Sequence, residues 1–356
     1  MQRQANSFLC LFLSGLLGLS LIGCGGQANQ QTQASMEKTS EETTKTYPTV
    51  GEVERLDPAI DALIPTTVQI EVLGEGMQWS EGPIWLEDKQ LLLCSDVPEN
   101  KVYQWSEQKG FGLFLEPSGF TGEETDSREK GSNGLTLDPQ GRLTLCQHGD
   151  RRVARYTGDF ASPSPSFETV VDRYEGKRFN SPNDLVFDSK GNLYFTDPPY
   201  GLSGAMMDDP KKELPFQGVF KYTAEGELHL LTDQLSRPNG LALSPDETIL
   251  YVANSDPEKA VWMAYPLLDG HKIGEGKLFY DATPLVATDP GLPDGLKLDA
   301  KGNLYATGPG GLWIFSPEGK VLGKVKAGKL MSNCNFDNDK KTLFITADDL
   351  LLRLRL

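Results

Sequence analysis

The strongest constraint on this 356-residue chain is a pattern that returns six times. Its clearest copy, residues 181–200 (SPNDLVFDSKGNLYFTDPPY), reads as a short apolar strand at 185–187, a turn at 189–192 and a returning strand at 193–196 rich in aromatic and β-forming residues. It is one β-hairpin. The same grammar runs through NGLTLDPQGRLTLCQH from Asn133, NGLALSPDETILYVAN from Asn239, DGLKLDAKGNLYATG from Asp294 and NCNFDNDKKTLFITA from Asn333, with a worn copy, EGPIWLEDKQLLLCSD, from Glu81. Thirteen residues after the opening position stand Cys94, Cys146, Thr196, Thr307 and Thr346, and the Asn239 copy takes fourteen to reach Ala253. The copies recur at about fifty residues, within the spacing of propeller repeats of about 40 to 50. Six copies predict an all-β chain folded as a six-bladed β-propeller.

The ends of the repeat array fit ring closure. Residues 67–73 (TVQIEVL) alternate as a strand before the first copy, whereas the last copy supplies only two strands after its inner one, at 342–346 and 350–354. A propeller that pairs its terminal strands in one blade removes the exposed edges that invite aggregation. Residues 67–73 are therefore predicted to complete the sixth blade, and 51–356 to form one closed domain.

Upstream, residues 1–23 hold a single basic residue, Arg3, and then the apolar run 8–22, ending in LIGC at Cys24. The run is shorter than the ~20 residues that cross a bilayer as a helix and reads as a signal peptide. LIGC resembles the bacterial lipobox, which implies lipidation of Cys24 and an exported lipoprotein of the cell envelope, touching the membrane through its N-terminal lipid only. Residues 24–50 are rich in Gln, Thr, Ser and Glu and read as a flexible tether. Removing residues 1–23 takes away Arg3 and no acid, leaving 33 basic against 50 acidic residues and a formal charge of −17. Such a surface lacks the basic face that nucleic-acid binding requires. Of the five cysteines, Cys94 and Cys146 occupy the repeat position filled elsewhere by Thr or Ala, so they are expected to be small buried residues rather than a disulfide scaffold.

If each first strand is innermost, the six openers Glu81, Asn133, Asn183, Asn239, Asp294 and Asn333 converge on one mouth of the central channel. Two carboxylates and four amides suit a hard cation, since Ca²⁺ prefers carboxylate, amide carbonyl and water oxygens, whereas Zn²⁺ usually takes His or Cys. Asn and Asp before a strand also form Asx-turns, so each opener alone has a purely local reading. The second strand returns to the same mouth and brings Asp96, His148, Asp197 and Asn254 with it. His148 is the candidate general base; Asp197 and Asp96 are alternatives, and Asp197 also serves as a ligand-orienting group. His229, in the alternating run 227–231, and His271, in the turn Asp269-Gly270-His271, are expected at the surface. Three long segments, 118–132, 201–217 and 283–293, are expected to cross the mouth.

From about Gly76 onward the chain resembles the gluconolactonase and regucalcin (senescence marker protein) family. SEGP at 80–83, SPND at 181–184, PNGL at 238–241 and PDGL at 293–296 carry the resemblance, and NGLTLDPQGRL, YFTDPPYGL and YATGPGG are similar to the bacterial gluconolactonase branch. The resemblance implies a six-bladed propeller holding one divalent cation, commonly Ca²⁺ with Mg²⁺, Mn²⁺ or Zn²⁺ as alternatives, on Glu81, Asn183, Asn239 and Asp294. It further implies a small-molecule lactone substrate, with Asn133, Asn183 and Tyr200 as expected contacts. Asn333 has the weakest claim, because NCNF departs from the NG or DG form. Hydrolysis of another lactone, ester or phosphotriester, or a non-catalytic binding propeller stabilised by the ion, stand as alternatives. The sequence does not define an oligomeric state.

Overall fold

The structure, a computed structural model, describes residues 45–203 and 206–356. The signal segment, Cys24 and most of the tether lie outside the described residues. The described residues of 45–356 form six antiparallel sheets arranged as a six-bladed propeller, with one small two-stranded hairpin, Arg173–Tyr174 and Lys177–Arg178, outside the blades. Blade one is Ser80–Leu86, Leu91–Asp96, Lys101–Ser106 and Gly110–Leu115; blade two begins at Ser132–Leu137, blade three at Leu185–Phe187, blade four at Pro238–Leu243, blade five at Leu296–Leu298 and blade six at Met331–Phe336. The first strand of each blade packs against the first strands of both neighbours, so these strands surround the axis.

The sequence repeat has a physical basis in this crowding. Every residue at the repeat's later marker position, Cys94, Cys146, Thr196, Ala253, Thr307 and Thr346, is fully buried. The threonines use their hydroxyls to hold inner-strand backbone: Thr196 Oγ1 donates to the Asn239 carbonyl at 2.7 Å, across to the next blade, and Thr307 Oγ1 to the Ser332 carbonyl at 2.8 Å. Where blade one has Cys94, the following Ser95 performs this role, donating to the Asn133 carbonyl at 2.9 Å. The glycine after an opener answers the same crowding. A Cβ on Gly240 would lie 2.3 Å from the Asp294 carbonyl oxygen, and one on Gly295 would lie 2.1 Å from Asn333 Cγ.

Apolar residues of facing sheets fill the spaces between blades. Trp262, Trp313 and Phe315 pack between blades four and five, and Phe179, Phe195 and Phe220 between blades two and three. Cys94, Cys146 and Cys334 are buried, and among the described residues they form no disulfide.

The ring closes by terminal pairing, with a strand that starts four residues and ends two residues later than the alternation predicts. Glu71–Glu75, rather than 67–73, pairs with Leu350–Arg355 in blade six. The backbone just before it is occupied elsewhere: Val50 N donates to the Ile70 carbonyl and Val72 N to the Pro48 carbonyl. Residues 47–50 are consequently packed on the propeller rather than continuing a tether. The Tyr47 ring meets Trp105 edge-on, and its hydroxyl donates to Glu107 at 2.9 Å. A further strand, Glu52–Arg55, adds a fifth member to blade five beside Val321–Lys326. Arg353 latches the closing strand. Buried beneath Tyr47 and Trp105, it donates to Glu71 and Glu107, each at 2.6 Å.

Candidate active site

The inner strands enclose a cavity of about 420 Å³ at the mouth where they begin. Five of the six openers line it: Glu81, Asn133, Asn183, Asn239 and Asp294. The sixth, Asn333, does not. It is buried beneath the others, with Nδ2 3.3 Å from Glu81 Oε2 and 3.4 Å from Asp184 Oδ2. Asp184, the last residue of SPND, joins this lower layer with Lys297, whose ammonium lies 3.7 Å from its carboxylate.

Three of the five lining openers present oxygens that the protein itself leaves unsatisfied, whereas Glu81 Oε2 accepts from Gly82 N and Asn333 Nδ2. Asn133 Oδ1, Asn183 Oδ1 and Asp294 Oδ1 are shielded from solvent and have no hydrogen-bond partner among the described residues. Asn239 commits its Nδ2 to Ser255 Oγ at 2.9 Å, so its amide oxygen is the ligand atom on offer. Burial, then the nearby Asp184 carboxylate, pushes Glu81 up to about 8. Asp294 is raised well above the usual carboxylate range by burial and by Glu81. Buried unpaired charge is costly, and these groups shed it by holding protons unless a cation compensates. Two carboxylates with converging amide oxygens and no histidine or cysteine in the lining fit a hard divalent cation.

Around this floor stand Trp79, Glu129, Tyr200 and Ser255, with Pro257, Val286, Leu292, Leu330 and Met331 forming an apolar side. Two of the three predicted mouth segments contribute lining residues, Glu129 from 118–132 and Val286 and Leu292 from 283–293; no described residue of 201–217 lines the cavity, the wall there ending at Tyr200. Glu129 was not singled out by the sequence, because it lies in an irregular segment without counterparts in the other repeats. It is pushed up to about 7 by the surrounding protein. Its side chain keeps 37% exposure, so water in the cavity moderates that shift.

The residues returning on the second strands occupy a different place from the one predicted. His148 is fully buried and does not line the cavity; both ring nitrogens lack hydrogen-bond partners among the described residues, and Nδ1 lies 3.6 Å from Glu129 Oε2. Burial pulls it down to about 3, so the ring is neutral. It packs against Gly201 and stands one layer behind Glu129. Asp197 is likewise behind the wall, accepting hydrogen bonds from Asn180 N and Ser181 N, each at 2.8 Å. Asp96 accepts from Gln78 N and Trp79 N, and Asn254 from Arg237 N, in the equivalent places of their blades. These side chains tie the end of each second strand to the backbone that leads into the opener. They are positioning groups for the ring, and burial keeps Asp197 raised to about 7 despite its two donors.

A closed six-bladed propeller with an oxygen-lined pocket at one end of its channel is the class that the fold and site define. Within it, the chain belongs to the SMP-30/Gluconolactonase/LRE-like family, whose sequence model matches residues 79–349. It is similar to the gluconolactonase of Zymomonas mobilis subsp. mobilis, at 41% identity over 314 residues, 86% of each chain. Among solved structures it resembles a gluconolactonase of Xanthomonas campestris, with a TM-score of 0.73 and 31% identity over 88% of this chain and 99% of that one. The diisopropyl-fluorophosphatase of Loligo vulgaris is a more distant relative, 27% identical over 51% of this chain and 59% of its own length.

Proposed function

We propose that the protein hydrolyses a sugar lactone of the glucono-1,5-lactone type in the central cavity, using one divalent cation, Ca²⁺ in the first place, held by Glu81, Asn183, Asn239 and Asp294. The observation that carries this reading is a floor of unsatisfied oxygens in a chain 41% identical to a gluconolactonase over 86% of its length. Bound there, the cation supplies Lewis acidity toward a carbonyl oxygen and stabilises the negative charge that grows on it.

The chain's own residues do the remaining work. Asn133, with its unpartnered Oδ1, and Tyr200 are placed to bind substrate hydroxyls. Trp79 offers an aromatic surface to the C–H face of the ring. Glu129, which gives up its own proton around neutral pH, in its ionised form accepts the proton of the attacking water and returns it to the ring oxygen as the C–O bond opens. His148 supports that carboxylate from behind, and Asp197 holds the approach to Asn183.

The apolar side of the cavity favours a second substrate class, lactones carrying an alkyl group. Acid release from glucono-1,5-lactone and from an alkyl-substituted lactone, measured on the full-chain protein before and after chelation, tests both. Turnover of neither, with the protein folded and cation restored, sinks the reading. The exported-lipoprotein reading is supported by the sequence around Cys24, and mass spectrometry of the mature N-terminus tests it.

A further inference from the structure

Two of the chain's three histidines, His229 and His271, lie far from the cavity lining and meet each other on the outside of the ring. A local feature of blade four brings them together. Its third strand, Lys259–Leu268, runs ten residues and overhangs the sheet, and its end pairs with Lys272–Ile273 through Leu267↔Ile273 and Leu268↔Lys272. The turn of this small hairpin carries His271 in the left-handed region, at φ 60°. The hairpin reaches the outer strand of blade three, Leu228–Thr232, which carries His229.

There the two imidazole rings stack, with centroids 4.5 Å apart and planes 12° from parallel. Glu227 Oε2 lies 3.4 Å from His229 Nε2 without making a hydrogen bond to it. One ligand atom from each of Glu227, His229 and His271 falls within 4.8 Å of the others. His229 Nε2 and His271 Nδ1 are both shielded from solvent and have no hydrogen-bond partner among the described residues. A tetrahedral ion with bonds of ~2.0–2.1 Å sets its ligands about 3.3 Å apart. The 3.4 Å separation already meets that spacing, while the His271 atom, within 4.8 Å of the other two, and the near-parallel rings require side-chain rotation on binding.

Neighbouring charge permits occupancy. Lys221 pairs with His229 across the strands, but its ammonium sits over the Tyr194 ring, 5.2 Å from the centroid. Lys272 follows His271 in the chain, and the acids Glu225 and Asp269 lie close in sequence on either side. Two imidazoles and one carboxylate select a borderline transition ion over Ca²⁺, the reverse of the all-oxygen floor of the cavity.

We infer that Glu227, His229 and His271 form a second metal site, for Zn²⁺, Ni²⁺ or Cu²⁺, that joins the outer edges of blades three and four. Without an ion these edges meet through partly buried apolar contacts, Leu231, Leu267 and Ile273 among them. Coordination adds a cross-link at the periphery, where propeller blades have the least to hold them. The inference is independent of the catalytic reading, because none of its three residues lines the cavity.

The test uses full-chain protein made without a histidine tag, stripped by a chelator and returned to excess Ca²⁺, then titrated with Zn²⁺. Wild type is expected to bind one more equivalent of Zn²⁺ than either His271→Ala or His229→Gln. Its thermal midpoint should rise on adding Zn²⁺ while those of the variants stay put. Any Zn²⁺ that enters the central ring does so in all three proteins and cancels in the difference. With Cu²⁺, electron paramagnetic resonance should show coupling to two imidazole nitrogens in wild type and one in each variant. Equal lactone turnover in Ca²⁺ shows that the variants are folded. Identical Zn²⁺ stoichiometry in wild type and both variants, or a Cu²⁺ spectrum lacking two-nitrogen coupling, overturns the inference.

Discussion

Gly240 follows the opener Asn239, and its replacement by alanine tests whether inner-strand spacing sets the geometry of the ring. The added Cβ would lie 2.3 Å from the Asp294 carbonyl oxygen and 2.6 Å from Gly295 Cα. Both obstacles are backbone, so neither can rotate away. Reaching a tolerable 3.0 Å requires a shift of about 0.7 Å, and ordinary contact at 3.4 Å requires about 1.1 Å. That shift separates Asn239 from Asp294, two of the four proposed cation ligands. Overpacking of this kind costs about 1–3 kcal/mol, and misplacing catalytic groups by ~1 Å lowers turnover by about 10²-fold. Gly240→Ala should therefore lower the thermal midpoint, weaken cation binding and reduce lactone turnover by about two orders of magnitude. Gly112→Ala is the matched control, since Gly112 also lies in a strand, has no positive φ, and a Cβ there meets nothing within 4 Å. A Gly240→Ala protein with the cation affinity, midpoint and turnover of the control would refute the argument.

Three other perturbations address separate parts of the molecule. Glu129→Gln should cut turnover by ~10²–10⁴-fold with little change in substrate affinity; wild-type turnover should rise with pH as this carboxyl, raised to about 7, gives up its proton, and that rise should be missing from the variant's pH profile. Arg353→Ala should destabilise by about 2–3 kcal/mol in urea unfolding without changing kcat, less than the ~3–5 kcal/mol of a fully buried pair because Glu107 is 46% exposed and screened by solvent. Chelation should leave a protein whose stability falls as pH rises, since Glu81 goes from 4.5 to about 8 on folding and ionising it there is unfavourable. Re-adding Ca²⁺ at pH 7 should release protons, and the release should shrink above about pH 8; a pH-stat titration showing none would count against Glu81 as a ligand.

The parts of the fold legible in the sequence are those that six blades must solve in the same way. Each inner strand crowds its neighbours at the axis, which selects glycine after four of the six openers and a small buried residue at the later marker position. Identical constraints leave identical residues, and the repeat count follows. Glu52–Arg55 escaped notice because three of its four residues are charged; it is held as an edge strand by backbone pairing and by Glu54 reaching Lys326 at 2.5 Å. The side chains on the returning strands were legible as a set, but their direction was not. A hairpin does bring Asp96, Asp197 and Asn254 back beside the openers, yet the unpaired N–H groups leading into each inner strand capture them before they reach the cavity. His148 occupies the matching place in blade two, where its own N–H donates to the Gly131 carbonyl and its ring is left beneath Glu129.

The charge arrangement supports the proposal of a cation of charge two. Glu81, Asp184 and Asp294 interact with one another near the axis, and Lys297 is the nearby ammonium, 3.7 Å from Asp184. That contact balances one carboxylate and leaves Glu81, raised by burial and by Asp184, and Asp294, raised by burial and by Glu81. A monovalent ion would leave one of them charged and unpaired or protonated, and a trivalent ion would exceed them both. As proposed ligands, the amide oxygens of Asn183 and Asn239 would extend the coordination without adding charge, keeping the balance at two. Glu129 stands outside this pairing, in contact with cavity water, where it is available to exchange a proton with a substrate rather than to neutralise the ion.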